Sequence, residues 1–190
     1  SPLTRHRARI EAALAVPPTG DELPALLERN LADIDQVLST FQSLLRIANV
    51  ESGLLRSEFR ALDLSALTRD AIDFMEPMAD ERDLSLSADV PAQASMSGHR
   101  DLLFQAVINL IDNAIKFSPA GGTVTISLQP APDGWRLEVA DQGPGIPDSE
   151  RERVFERLYR LEGARNTPGL GLGLSLVQSV ARLHAGRIEL

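Results

Sequence analysis

Apolar residues in the first quarter of the chain recur at helical spacing. Leu27, Leu31, Ile34, Leu38, Phe41, Leu45 and Ala48 are separated alternately by four and three residues, which makes a heptad seam along one face of an α-helix. Before it, Leu3, Ile10 and Leu14 mark a shorter helix over residues 1–16, with Pro2 in its first turn, where the missing N–H costs nothing. Pro17, Pro18, Thr19 and Gly20 end that helix in a turn, and Thr19 with Glu22 has capping-box spacing for the helix that follows. The short helix is not long enough to cover the seam. Two such hairpins packed as a four-helix bundle would cover it, so the pattern predicts a homodimer.

Downstream the pattern changes. Residues 53–62 read as a linker. Asp63 is placed to cap a helix running to about Asp80, with Leu67, Ala71, Phe74 and Met78 inward and Pro77 bending its last turn. Leu84, Leu86 and Ala88 alternate with Ser85, Ser87 and Asp89, as in a strand buried on one face, and residues 94–97 read as a second short strand. Leu103, Val107, Leu110 and Ala114 share one face of the next helix. A turn follows at Pro119, Ala120, Gly121 and Gly122, then a hairpin that alternates Val124, Ile126 and Leu128 with Trp135, Leu137 and Val139 across residues 130–134. Val154, Phe155 and Leu158 suggest a short helix. Leu174, Val177, Val180, Ala181 and His184 suggest a final helix, and residues 187–190 a last strand. The predicted class is α+β: a helical hairpin over residues 1–52, the linker over 53–62, and an α/β sandwich over 63–190 with a mixed sheet and helices on one face.

Composition narrows the function classes. The net charge of −8 argues against non-specific nucleic-acid binding, which needs cations on the protein. With no cysteine, disulfides and thiolate metal sites are excluded, and a reducing compartment fits. No run of about 18 apolar residues occurs, so no membrane contact is expected within the chain. The chain begins without methionine and stops inside the last expected strand, as a fragment of a longer protein would.

Three segments suggest chemistry. On the helix around residue 109, Gln105, Asn109, Asn113 and Lys116 line a second face at one-turn spacing. Amide oxygens are neutral ligands for a hard cation, and an ammonium is a point charge for phosphate. Asp141, Gln142, Gly143, Pro144 and Gly145 follow a strand, where a carboxylate at the strand end can point into a pocket while the backbone passes close to a ligand. Residues 168–175 carry Gly169, Gly171 and Gly173 and open a helix, whose free N–H groups suit phosphate. His6, His99 and His184 read as ordinary solvated residues.

These segments together resemble the sensor histidine kinases of two-component signalling, whose ATP-binding fold is shared with gyrase, heat-shock chaperones and mismatch-repair ATPases. Residues 109–117 resemble the asparagine box, 141–145 the first glycine box, 154–160 the phenylalanine box and 169–174 the second glycine box. The resemblance implies ATP and Mg²⁺ as cofactors. It assigns Asn113, and secondarily Asn109, to the metal, and Asn109, Lys116 and Arg157 to catalysis. It assigns to ATP the residues Asn109, Asn113, Lys116, Phe117, Asp141 (toward the adenine amine), Gly143, Gly145, Ile146, Tyr159, Arg160, Gly169, Leu170, Gly171, Leu172, Gly173 and Leu174. Arg165 shares the loop between the glycine boxes, which is expected to order around nucleotide. ATPases of this fold carry a glutamate where Asn109 stands, and an amide is no base at neutral pH, so phosphate transfer rather than hydrolysis is implied. The implied partners are a second copy of the chain and a response-regulator receiver domain. The implied place is the cytoplasm, as part of a membrane-bound sensor. Ser1, Pro2 and Leu3 resemble the end of the acceptor motif, so the acceptor histidine would lie four residues before Ser1. Leu158 replaces a frequent second aromatic, and the family continues with further strands after Leu190. Two other readings are a non-catalytic ATP-sensing dimerisation module and, disfavoured by Asn109 and the hairpin, a chaperone-type ATPase.

Overall fold

The computed structural model describes residues 7, 8, 10, 11, 22–164, 167 and 169–190. The expected first helix is described only at residues 7, 8, 10 and 11, which are helical; its turn and the Thr19 cap lie outside the described residues. Two compact units are present, Ser1–Arg46 and Ile47–Leu190.

The first unit is dominated by helix α1, Glu22–Glu51, whose last turn enters the second unit. Its heptad side chains are open to solvent within a single chain: Leu27, Leu31, Ile34, Leu38, Phe41 and Leu45 are 43–61% exposed. An apolar stripe of this length is unusual for a surface that faces only water.

In the second unit, Ile47 and Val50 on the last turn of α1 are buried. The stretch read as a linker is folded instead. It forms a 3-10 helix, Leu54–Glu58, and strand β1, Arg60–Asp63, which pairs antiparallel with β3, Ser95–Gly98. Asp63 then caps α2, Leu64–Asp80. Its Oδ1 accepts from the N–H groups of Ala94 (2.8 Å) and Ser65 (3.0 Å). These bonds, that from Ala94 above all, hold the carboxyl below the usual aspartate range.

The inward face of α2 differs from expectation. Leu64, Leu67, Thr68, Ala71, Met75 and Ala79 are buried, while Phe74 and Met78 are 66% and 42% exposed. From Ala71 the buried stripe steps by four to Met75, not by three to Phe74, so it runs along the i+4 ridge. Phe74 lies edge-on to Phe104 with ring centroids 6.1 Å apart.

The second sheet has the order β2-β4-β5, where β2 is Ser85–Asp89, β4 is Thr123–Ala131 and β5 is Gly134–Ala140. β2 runs parallel to β4, and β4 antiparallel to β5 in a tight hairpin with Ala131 opposite Gly134. The strands are thus divided between a mixed three-stranded sheet and the β1–β3 pair. Val124, Ile126 and Leu128 on the inner face of β4 are buried against α2 and α3, Arg100–Phe117. On α3 the buried residues are Leu102, Ala106, Val107, Ile111, Ala114 and Ile115; Leu103 and Leu110 are only partly covered. The stripe is broadened because α3 also packs against the last helix, α4, Gly173–Leu183. Residues 186–190 form no strand.

His99 and His184 are not ordinary solvated residues. His99 caps α3, its Nδ1 accepting from Leu102 N–H at 3.5 Å, and its Nε2 is 3.5 Å from Glu58 Oε2. His184 stacks on Phe59 at 4.5 Å. Its Nε2 accepts from His99 N–H (3.1 Å) and its Nδ1 lies 2.8 Å from Val180 O. Only the neutral ring with the proton on Nδ1 satisfies both contacts. Burial pushes this imidazole below the ordinary histidine value, and the nearby His99 and Arg56 push the same way.

Two outcomes are expected. In urea unfolding, Met75→Ala costs about 2–5 kcal/mol and Phe74→Ala less than about 1 kcal/mol; the reverse ranking would refute the register of α2. The folded unit resists protonation of His184, while the unfolded chain accepts it at about pH 6.5, so stability falls as the pH drops through that value. The thermal midpoint is expected to decline from about pH 7.5 to about pH 5.5, and His184→Asn to flatten the decline over that range.

Candidate functional site

Helical period places Asn109, Asn113 and Lys116 on one stripe of α3, each partly buried, with about 5.4 Å of rise per turn between them. The element that meets this stripe is the start of α4. A Cβ built on Gly173 would sit 3.8 Å from Asn109 Cβ and Cγ and 3.8 Å from Asn113 Nδ2. Both asparagines therefore flank the first turn of α4, where the positive end of the helix dipole and the free N–H groups lie. Leu172 precedes the turn and donates no side-chain cap.

Lys116 is not presented alone. Its Nζ stands 2.5 Å from Asp112 Oδ2, with both side chains about one-quarter exposed. Asp112 was missed in the sequence, although an aspartate four residues before a lysine on a helix is a pairing signal.

The first glycine segment leaves β5 and turns beneath the end of α3. Asp141 is exposed, and its Oδ1 accepts from Gly143 N–H at 2.7 Å. A Cβ at Gly143 would lie 2.7 Å from that oxygen and 2.7 Å from Phe117 O, so the backbone pass is possible only for glycine. Gln142 Oε1 accepts from Thr123 N–H at 3.1 Å and fastens the segment to β4. Phe117 at the end of α3 is 39% exposed, and Ile146, just past Gly145, is partly buried.

The expected short helix between the glycine segments is two single 3-10 turns, Asp148–Glu150 and Arg153–Phe155. Leu158 lies beyond them with φ +63° and is 54% exposed. Its N–H donates to Gly171 O at 2.9 Å. Gly171 has φ +69°, and a Cβ there would overlap Tyr159 O. Leu172 is buried, Leu170 and Leu174 partly so, and Gly169 is exposed.

The cations of this loop are turned to protein partners. Arg160 donates to Gly169 O at 3.0 Å and to the carbonyls of Ala164 and Thr167. Tyr159 donates its hydroxyl to Glu150, which raises its pKa, and Arg153 lies 4.3 Å over its ring. Arg157 pairs with Glu51. Arg165 lies outside the described residues. The structure thus brings Asn109, Asn113 and Gly173 together and leaves Arg157 and Arg160 on other partners. A separate groove lined by Phe155, Gln178, Arg182 and Leu190 contains none of the expected site residues.

Residues 98–190 match the family described as histidine kinase-, DNA gyrase B-, and HSP90-like ATPase. The sensor protein IrlS of Burkholderia pseudomallei is 33% identical over 98% of the chain; the chain spans 40% of that curated relative's length. The histidine kinase AdeS of Acinetobacter baumannii superposes with TM-score 0.72 at 25% identity, over 96% of this chain and 84% of that one. A mycobacterial sensor histidine kinase, MprB, superposes with TM-score 0.57 at 32% identity, over 67% of this chain and 80% of that one. With the asparagine stripe and glycine segments in this arrangement, the chain belongs to the sensor histidine kinase family, and its C-terminal half to the ATPase fold that this family shares with gyrase and the chaperones.

Proposed function

We propose that this chain is the catalytic core of a kinase that moves the γ-phosphate of ATP to a histidine, for relay to an aspartate of a response-regulator receiver domain. The observation that carries the proposal is the meeting of Asn109 and Asn113 with the first turn of α4 at Gly173. Two neutral amide oxygens and a helix N-terminus suit a metal that arrives already chelated by phosphates. Among the described residues no group of three or more His, Cys, Asp or Glu could hold a metal by itself, which fits a metal delivered with the nucleotide.

Asn113 would hold Mg²⁺, with Asn109 one turn away on the same metal or on phosphate. When bound, Mg²⁺ neutralises charge on the phosphate oxygens. Lys116, presented by Asp112, would pair with phosphate. Asp141 has Oδ1 occupied by Gly143 N–H, and its second oxygen, Oδ2, would accept from the adenine amine. Phe117, Ile146, Gly143 and Gly145 would border the base, and residues 169–174 would wrap the triphosphate. Tyr159 and Arg160 shape that loop. Asn109 cannot take a proton from water, so the site favours transfer to a positioned nucleophile. Catalysis would then rest on Asn109, Lys116 and Arg157, through alignment and charge.

The proposed division is a dimerising hairpin over residues 1–52 and an ATP-binding domain over 63–190, with residues 53–62 folded onto the latter. The exposed seam of α1 supports a homodimer. Among the described residues no helix is long and apolar enough to cross a membrane; the cytoplasmic side of a membrane-bound sensor is the proposed place.

The deciding assay mixes the chain with γ-labelled ATP and a second chain that carries a histidine-bearing hairpin. Label on that chain is expected. Tight ATP binding with no label would instead assign the chain to nucleotide sensing. Asp141→Asn is expected to weaken ATP binding in calorimetry by about ten- to a hundredfold, the worth of one charged hydrogen bond, while the unfolding midpoint changes little. Unchanged affinity would remove Asp141 from the adenine role.

A further inference from the structure

The proposed catalytic Arg157 does not stand at the asparagine stripe. Its Nη2 is bonded to Glu51 Oε2, across 106 residues of sequence. The other oxygen of the same carboxylate lies 3.4 Å from the Ser179 hydroxyl on α4. Ser179 is six residues beyond Gly173, about 9 Å along the helix axis. The guanidinium is therefore drawn toward the second half of α4, away from the turn that meets Asn109 and Asn113.

Glu51 is a firm base for this contact. It closes α1 on the same turn as Ile47 and Val50, which are 0% and 1% exposed. The chain just beyond is pinned by Gly53 N–H to Val50 O (3.2 Å) and by the Ser52 hydroxyl to Asn49 O (2.7 Å). Arg157, by contrast, sits in irregular backbone between a 3-10 turn and the left-handed Leu158. When the pair separates, the arginine is the partner free to travel. A carboxylate at a helix C-terminus is also unfavourable toward the dipole, and the last turn of α1 has no basic residue to offset it. Arg157 supplies the nearest cation, and Arg182 of α4 adds a weaker charge of the same sign. The mutual preference is visible in both groups: Arg157 lowers the Glu51 carboxyl below its usual range, and Glu51 raises the guanidinium.

We propose that Glu51 is a positioning residue that withholds Arg157 from the triphosphate, so that phosphate transfer requires this ion pair to open. The proposal rests on the reading of Arg157 as a catalytic cation. The phosphoryl group in transfer, with charge spread over its equatorial oxygens, competes for the guanidinium as a bidentate partner, and the pair, with both side chains about half exposed, is weak enough to exchange.

The test compares Glu51→Gln, Glu51→Asp, Arg157→Ala and the double variant Glu51→Gln/Arg157→Ala, using labelled ATP and a separate chain bearing the acceptor hairpin. Glu51→Gln is expected to raise the transfer rate at saturating ATP by about three- to tenfold, with KM for ATP and the unfolding midpoint little changed, because only the restraint on Arg157 is lost. Glu51→Asp, which keeps the charge, is expected to return the rate toward that of the unaltered chain. The double variant is expected to fall to the low rate of Arg157→Ala, since the gain acts through the arginine. Arg157→Ala impaired, with Glu51→Gln no faster than the unaltered chain, would overturn the restraint and leave the catalytic reading standing. Arg157→Ala as fast as the unaltered chain would overturn the catalytic reading and the restraint with it. A double variant as fast as Glu51→Gln would show that Glu51 acts by another route and would also overturn the proposal.

Discussion

The candidate site depends on one close backbone crossing. Gly171 passes so near residues 158 and 159 that any side chain would overlap Tyr159 O, and its φ of +69° suits glycine as well. Leu158 N–H closes the crossing onto Gly171 O, and Arg160 reaches Gly169 O from the same side. α4 begins two residues later, already aimed at α3. Gly173 can therefore meet Asn109 and Asn113, while Leu176, Val177 and Val180 bury the rest of the helix. Without this crossing, the start of α4 would have no fixed position against the asparagine stripe.

The charges around the site are balanced before any anion arrives. Lys116 has Asp112, Arg157 has Glu51, Arg153 has Glu150 and the Tyr159 ring, and Arg160 has three carbonyls. In a chain of net charge −8 this arrangement limits repulsion and keeps the long side chains ordered. Under the proposed function, an incoming triphosphate would exchange partners with these cations rather than meet bare charge. Such exchange is easiest for the exposed pairs, where solvent screens the loss. Under that proposal the partners of each cation would share in the chemistry, among them Glu51 and Glu150, which belong to no expected motif.

The second unit is held to its own ends in a related way. The His184 ring joins the end of α4 to the start of α3 through His99 N–H and stacks on Phe59. Arg56 Nε donates to Leu183 O at 3.0 Å. The segment 53–62 is thereby folded onto the ends of α3 and α4, and β1 adds a paired strand that no alternation in Arg60, Ala61, Leu62 and Asp63 announced. Four residues are too few for a period to register.

Local repetition made the long elements legible. The stripe of Asn109, Asn113 and Lys116, the seam of α1, the Asp63 cap and the β4–β5 hairpin follow from spacing, because the helix and strand periods are properties of the backbone alone. The tertiary structure decided what spacing cannot carry. Met75 rather than Phe74 is buried because the elements packed on α2 cover only one of the two allowed steps along it. Residues 187–190 alternate like a strand but pair with none. The bonds of Arg157 to Glu51 and of His184 to His99 join residues far apart in the chain. Such contacts are set by how whole elements pack, and no local period encodes them.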